Sequence, residues 1–130
     1  MRGLLVEDEK VLQKIHSFYL ESLGYSFDLA KNGKETLNYL NKSNYDFMLL
    51  DNGLPDIQGI EICKKIRKNQ KTGKQSSFPI IFVTANSSFR QDCLDAGCDD
   101  FVVKPTSQET LGQLIKYWIH QYQQKTINNS

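Results

Sequence analysis

Tyr45-Asp46-Phe47-Met48-Leu49-Leu50, closed by Asp51, is the stretch whose reading decides the fold. Phe47 to Leu50 are apolar with no polar alternation, the pattern of a central parallel strand covered on both faces, and an acidic residue ends the run at once. Toward the N-terminus, Tyr25 to Ala30 and Gly3 to Val6 are predicted as two further short strands. Between them Val11, Leu12, Ile15, Phe18, Tyr19 and Leu23 recur at helical spacing from Glu9, and Gly24 stands where a left-handed C-cap is expected. After the second strand Asn32-Gly33 turns the chain, and Leu37 and Leu40 mark a short second helix.

Toward the C-terminus the alternation continues. Ile60, Cys63 and Ile66 mark a third helix beginning near Gly59, and the polar stretch Asn69 to Ser77 reads as a loop. Pro79 to Val83 is the fourth strand; Phe89, Cys93 and Ala96 give a fourth helix with a narrow apolar stripe, stopped by Gly97; Phe101-Val102-Val103 is the fifth strand, ended at Pro105. Leu111, Leu114, Ile115, Trp118, Ile119 and Tyr122 form the clearest helical stripe, which places one folded domain over residues 1–123 and a polar tail or linker over 124–130. Five βα units of roughly 20 to 25 residues must be joined by right-handed crossovers, with helices on both faces of the sheet. The expected fold is α/β, a doubly wound five-stranded parallel sheet.

Composition narrows the function. With 130 residues, 16 Lys+Arg against 15 Asp+Glu and a net charge of +1, the chain reads as one globular domain and not as a generally basic nucleic-acid binder. No apolar run approaches the ~18 residues of a membrane span, and Met1-Arg2 leads directly into a strand, so we expect a cytoplasmic domain that meets no membrane. Cys63, Cys93 and Cys98 show no Cys-x-x-Cys spacing and read as small buried residues, as do His16 and His120; a zinc site is not expected. The basic run Lys64, Lys65, Arg67, Lys68, Lys71 and Lys74 lacks interleaved aromatics and reads as a solvated face. Asn41-Lys42-Ser43, Asn86-Ser87-Ser88 and Asn128-Asn129-Ser130 match the glycosylation pattern without consequence in that compartment.

Four strands end in polar residues suited to chemistry: Glu7-Asp8, Asp51, Thr84 and Lys104. Doubly wound sheets gather their functional residues beyond the carboxyl ends of the strands, where the strand order reverses. In the order 2-1-3-4-5 the first and third strands are neighbours, which brings Glu7, Asp8 and Asp51 together. Three carboxylates in one crevice repel unless a cation neutralises them, and a hard oxygen-seeking ion such as magnesium suits the set. A magnesium, a lysine, a hydroxyl and a carboxylate free to attack together suit phosphoryl transfer, which is mostly positioning and charge neutralisation.

These residues carry a resemblance. Glu7-Asp8, the segment Leu49-Leu50-Asp51-Asn52-Gly53-Leu54-Pro55-Asp56-Ile57-Gln58-Gly59, Thr84-Ala85 and Phe101 before Lys104-Pro105 together resemble the receiver domain of two-component response regulators, from Leu4 to about Tyr122. The resemblance implies a flavodoxin-like fold and a domain that catalyses its own phosphotransfer and autodephosphorylation, then signals by shape. It implies that Asp51 accepts a phosphoryl group from a histidine kinase or histidine phosphotransfer protein, and that Glu7 and Asp8 hold Mg2+, Asp8 and Asp51 directly. Gly53 would lend its carbonyl to the metal, Thr84 its hydroxyl and Ala85 its amide to the phosphoryl oxygens, and Lys104 an ion pair aimed inward by a cis Lys104-Pro105 bond. Thr84 and Phe101 take the switch positions, the latter as a half-buried ring that rotates behind Thr84, and the fourth helix, fifth strand and fifth helix offer a homodimer face.

Gly53 and Asn86, each two residues beyond a site residue, tune the access of water to the acyl phosphate in this family. The long loop before Pro79 and Thr84-Ala85-Asn86 also resemble receiver modules of hybrid sensor histidine kinases. Aspartate-nucleophile phosphatases of the haloacid dehalogenase class combine the same residue types, but place the nucleophile first with a second Asp two residues on, where this chain has Gly53. A pseudo-receiver that only binds partners would not need Glu7, Asp8, Asp51, Thr84 and Lys104, all retained here.

Overall fold

A computed structural model describes residues 1–73 and 77–128. The elements are β1 (Arg2–Val6), α1 (Lys10–Ser22), β2 (Ser26–Ala30), α2 (Gly33–Lys42), β3 (Phe47–Leu50), α3 (Gly59–Lys71), β4 (Ile80–Thr84), a 3-10 turn (Ser87–Phe89), α4 (Arg90–Asp95), β5 (Asp100–Val103) and α5 (Gln108–Asn128). Among the described residues the strands form one parallel sheet in the order β2-β1-β3-β4-β5. The expected flavodoxin-like arrangement is therefore the one observed.

Period-two alternation sorts the strand side chains into two cores. Leu4, Val6, Met48, Leu50, Ile80 and Phe82 face α2, α3 and α4, whereas Leu5, Phe47, Leu49, Ile81 and Val83 face α1 and α5. β3 is buried at every residue, and each such side chain contributes about 1.5–3 kcal/mol by leaving water. No helix among the described residues is long and apolar enough to cross a membrane.

Helix ends obey local chemistry. The Asn32 side chain accepts from Glu35 N at 2.8 Å while Glu35 accepts from Lys31 N at 3.0 Å, which starts α2. Gly24 (φ +86°) follows α1 and Gly97 (φ +105°) follows α4; both take the left-handed conformation that glycine adopts without a Cβ penalty.

Several boundaries differ from the sequence reading. β2 and β3 begin later, at Ser26 and Phe47, and the fourth helix is entered through the 3-10 turn. α3 runs on to Lys71, so part of the expected loop is helical, and α5 continues through the polar residues to Asn128. The tail is rich in Gln and Lys, which propagate a helix once it is nucleated. It is also tied down, because the Tyr122 hydroxyl donates to both oxygens of Asp99 at 2.9 Å. Lys74, with the rest of 74–76 in the expected loop, and Asn129-Ser130 of the expected tail lie outside the described residues.

Arg67 corrects the reading of the basic run. Lys64, Lys65, Lys68 and Lys71 are exposed, but Arg67 turns inward. Its guanidinium donates to Gly97 O (2.7 Å), Phe78 O (2.8 Å) and Asp99 Oδ2 (2.6 Å), and Asp99 also accepts from Ile80 N at 2.9 Å. A planar five-donor fork suits several acceptors at once, so this arginine joins α3, β4 and the start of β5.

Candidate active site

Register brings the polar strand ends together. Val6 pairs with Leu50, and Asp51 N donates to Val6 O at 3.1 Å, so Glu7 and Asp51 emerge side by side. Thr84 pairs with Val103, and Lys104 N donates to Thr84 O at 2.8 Å. The result is a cleft of about 300 Å³ lined by Glu7, Asp8, Asp51, Gly53, Thr84, Ala85 and Lys104, with Asn86 and Phe89 at its rim. All eight residues singled out in the sequence are located: seven line this cleft, and Phe101 lies beneath it in the core.

Carboxylate oxygens of Glu7, Asp8 and Asp51 all lie within 4.8 Å of one another. Asp8 is exposed, whereas Glu7 and Asp51 are 2% and 7% exposed. Lys104 Nζ lies 2.6 Å from Glu7 Oε1 and 3.5 Å from Asp51 Oδ1. Burial pushes the Glu7 carboxyl above its ordinary range, and the Asp51 charge adds to that. The Lys104 hydrogen bond and the Glu9 amide oppose the rise without cancelling it. One lysine thus faces three acids. An oxygen donor set of this kind, converging on one open cleft, fits a hard divalent cation.

The loop that carries Asp51 is fastened on two sides. Asn52 is 5% exposed; its carbonyl accepts from Gly59 N (3.1 Å) and its side chain from Ile60 N (3.0 Å), which caps α3 from across the loop. α3 comes so near that a Cβ on Gly59 would collide with the Asp51 carbonyl. Asp56 caps α2, accepting from Gly33 N (2.8 Å) and Lys34 N (3.0 Å), and these bonds hold its carboxyl below the usual range. Sequence reasoning missed both roles. An Asp or Asn after a turn signals a cap, but not which helix it caps.

Thr84 is 5% exposed and its Oγ1 accepts from Asn86 N at 3.4 Å. The Asn86 side chain in turn accepts from Ser88 N at 2.9 Å and starts the 3-10 turn toward α4. Phe101 is 5% exposed, pairs with Phe82 across the strands and belongs to the same core as Cys93 and Ala96, so the ring is already inside and not half buried as expected from sequence. The Lys104-Pro105 bond is cis, as the resemblance implied. The three cysteines are free and buried; burial pushes Cys63 and Cys93 up to about 11 and Cys98 higher still, as for inert thiols. His16, 2% exposed, is held down at about 4 by burial and by the Lys104 charge.

The family model of the response regulator receiver domain matches residues 4–116. The chain is 39% identical over 126 residues to the response regulator ArlR of Staphylococcus saprophyticus, covering 95% of this chain and 54% of that protein. It is 39% identical over 124 residues to hybrid signal transduction histidine kinase B of Dictyostelium discoideum, covering 87% of this chain and 6% of that protein. It therefore spans about half the length of the first of these curated relatives and a small part of the second. Among solved structures, the receiver domain of the sensor histidine kinase PA1611 from Pseudomonas aeruginosa, with a magnesium ion coordinated in its active site cleft, superposes with a TM-score of 0.82 at 35% identity over 92% of this chain and 97% of that one. The receiver domain of Saccharomyces cerevisiae Ssk1, crystallised with the histidine phosphotransfer protein Ypd1, superposes with a TM-score of 0.83 at 30% identity over 91% and 88% of the two chains.

Proposed function

The chain belongs to the family of response regulator receiver domains, and on that premise we propose that Asp51 is its phosphoacceptor, with Mg2+ held by Glu7, Asp8, Asp51 and the Gly53 carbonyl. One observation carries the reading: Asp51 shares the cleft at the carboxyl edge of the sheet with two further carboxylates, and Lys104 reaches both Glu7 and Asp51. When bound, magnesium supplies positive charge that offsets the carboxylates and the phosphoryl oxygens.

A carboxylate oxygen of Asp51 attacks the phosphorus of a phosphohistidine in line. The O–P bond forms as the P–N bond breaks, and the electron pair of that bond returns to the imidazole nitrogen. Lys104 moves its charge toward the incoming phosphoryl group, while the Thr84 hydroxyl and the Ala85 amide donate to its oxygens. Water later attacks the same phosphorus, releases inorganic phosphate and restores the carboxylate.

The donor is a histidine kinase or a histidine phosphotransfer protein. Val11 (61% exposed), Ile15 (38%) and Phe18 (63%) form an apolar stripe on the outer face of α1, with Lys14 beside it, and this edge flanks the cleft where the phosphohistidine must enter. Signal output passes from Thr84 through Asn86 into α4. The exposed Leu94, Val103 and Tyr117 support a homodimer face on α4, β5 and α5. The receiver domain takes in residues 1–123 together with the last part of α5, which runs on to Asn128, and it works in the cytoplasm, without nucleic acid or membrane contact of its own.

Incubation with Mg2+ and acetyl phosphate should add one phosphoryl group, read by intact mass. Persistence of the full increment in Asp51→Asn would sink the assignment.

A further inference from the structure

The β1–α1 connection, Glu7-Asp8-Glu9, contributes two of the three clustered carboxylates, yet Glu9, at the N-cap of α1, makes no side-chain capping bond. Asp8 is exposed, and its carboxylate makes no hydrogen bond among the described residues. Its direction is therefore set by backbone alone, through the Glu7–Asp8 peptide plane. That plane is held at one atom. Gln13, from the first turn and a half of α1, donates from its side-chain Nε2 to the Glu7 carbonyl at 2.8 Å, a buried bond from a residue that is 9% exposed. On the other side Glu7 N donates to Ala30 O of β2 at 3.0 Å, so both backbone polar groups of Glu7 are committed.

We propose that Gln13 is a positioning residue for the metal site: its amide fixes the Glu7–Asp8 peptide and thereby aims Asp8 into the cleft. Without this donor the Glu7 carbonyl would be left buried and unpaired, and the peptide would rotate to find another partner. The rotation would carry Asp8 off its line toward Asp51. Residues that hold a ligand from behind typically change metal affinity by about 10–100-fold when removed. Gln13 touches neither the phosphoryl group nor the attacking oxygen, so it should act on the affinity for Mg2+ and not on the rate once the site is full.

This inference rests on the phosphoacceptor reading, and the experiment separates the two. Wild type, Gln13→Met, which keeps the shape without the donor, and Gln13→Asn, which draws the amide back by one methylene, are compared. Mg2+ affinity is measured by calorimetry, metal-free melting serves as a folding check, and the acetyl phosphate reaction is followed against Mg2+ concentration. The variants should still unfold cooperatively, at a somewhat lower metal-free melting temperature because the Glu7 carbonyl has lost its donor, bind Mg2+ about tenfold more weakly, and match the wild-type rate within about twofold at saturating Mg2+. Wild-type affinity in both variants would overturn the proposal, and so would a loss of saturated rate equal to the loss of affinity. If Gln13→Met does not fold, Gln13→Asn alone decides by the same measurements. Failure of wild type itself to bind Mg2+ would remove the underlying reading instead.

Discussion

Lys104 is bonded to Glu7 and only approaches Asp51: its ammonium lies 2.6 Å from the glutamate and 3.5 Å from the aspartate. The side chains are 10% and 2% exposed, so this is a desolvated pair whose disruption strands a buried charge. Lys104→Met should lower stability by roughly 3–5 kcal/mol in metal-free buffer, and Mg2+ should restore part of it. Denaturant melts with and without the ion measure this. A variant as stable as wild type would mean that the pair holds nothing.

Asp8→Ala removes the one exposed member of the carboxylate cluster. The metal-free protein should be as stable as wild type or slightly more so, since like-charge repulsion is relieved, while the rise in melting temperature with Mg2+ is largely lost. Retention of the wild-type rise would place the ion elsewhere.

Charge reversal at Lys14, exposed beside the α1 stripe, should slow transfer from a cognate phosphotransfer protein by about tenfold or more and spare acetyl phosphate. Equal slowing of both donors would indicate a damaged site and not a lost docking contact.

His16 gives the domain a pH dependence with a definite sign. Its pKa falls from 6.5 to about 4 on folding, so the unfolded chain binds the extra proton first. The stability that neutral His16 confers is complete above about pH 6.5 and is lost as pH falls through 4, on the order of 3 kcal/mol in all. His16→Gln should flatten that part of the stability profile relative to wild type. Parallel profiles from pH 7 to 4 would show that the imidazole protonates freely in the folded state.

Phe101 is already buried, so on the proposed function phosphorylation gains little apolar burial from the ring, and we predict a signal route through Thr84, Asn86 and the 3-10 turn, whose hydrogen bonds run on from one to the next. Amide shifts with and without beryllofluoride should be largest at Thr84 to Ser88, with smaller changes at Phe101 to Lys104. Changes confined to the Asp51 loop would rule out this route.

The unbroken apolar run Phe47–Leu50, the helical stripes of α1 and α5, and the polar residue at the end of each of four strands are local patterns. Hydrophobic period and turn chemistry act over a few residues, and from them the parallel sheet follows with few topologies to choose among. Once strands one and three are neighbours, the meeting of Glu7, Asp8 and Asp51 follows as well. The helix ends were less legible: α5 was expected to stop near Tyr122, but the distant Asp99 holds that residue in the helix. The partner of Lys104 lies 97 residues away, and Gln13, Asn52, Asp56 and Arg67 became site or core residues only through acceptors and donors that packing delivered to them. Phe101 was expected half buried because strand position says which side a ring lies on, not how deep the helix above it sits. Hydrogen bonds select partners within about 3 Å, a distance that sequence spacing along one element can specify and that between elements only the packed core can.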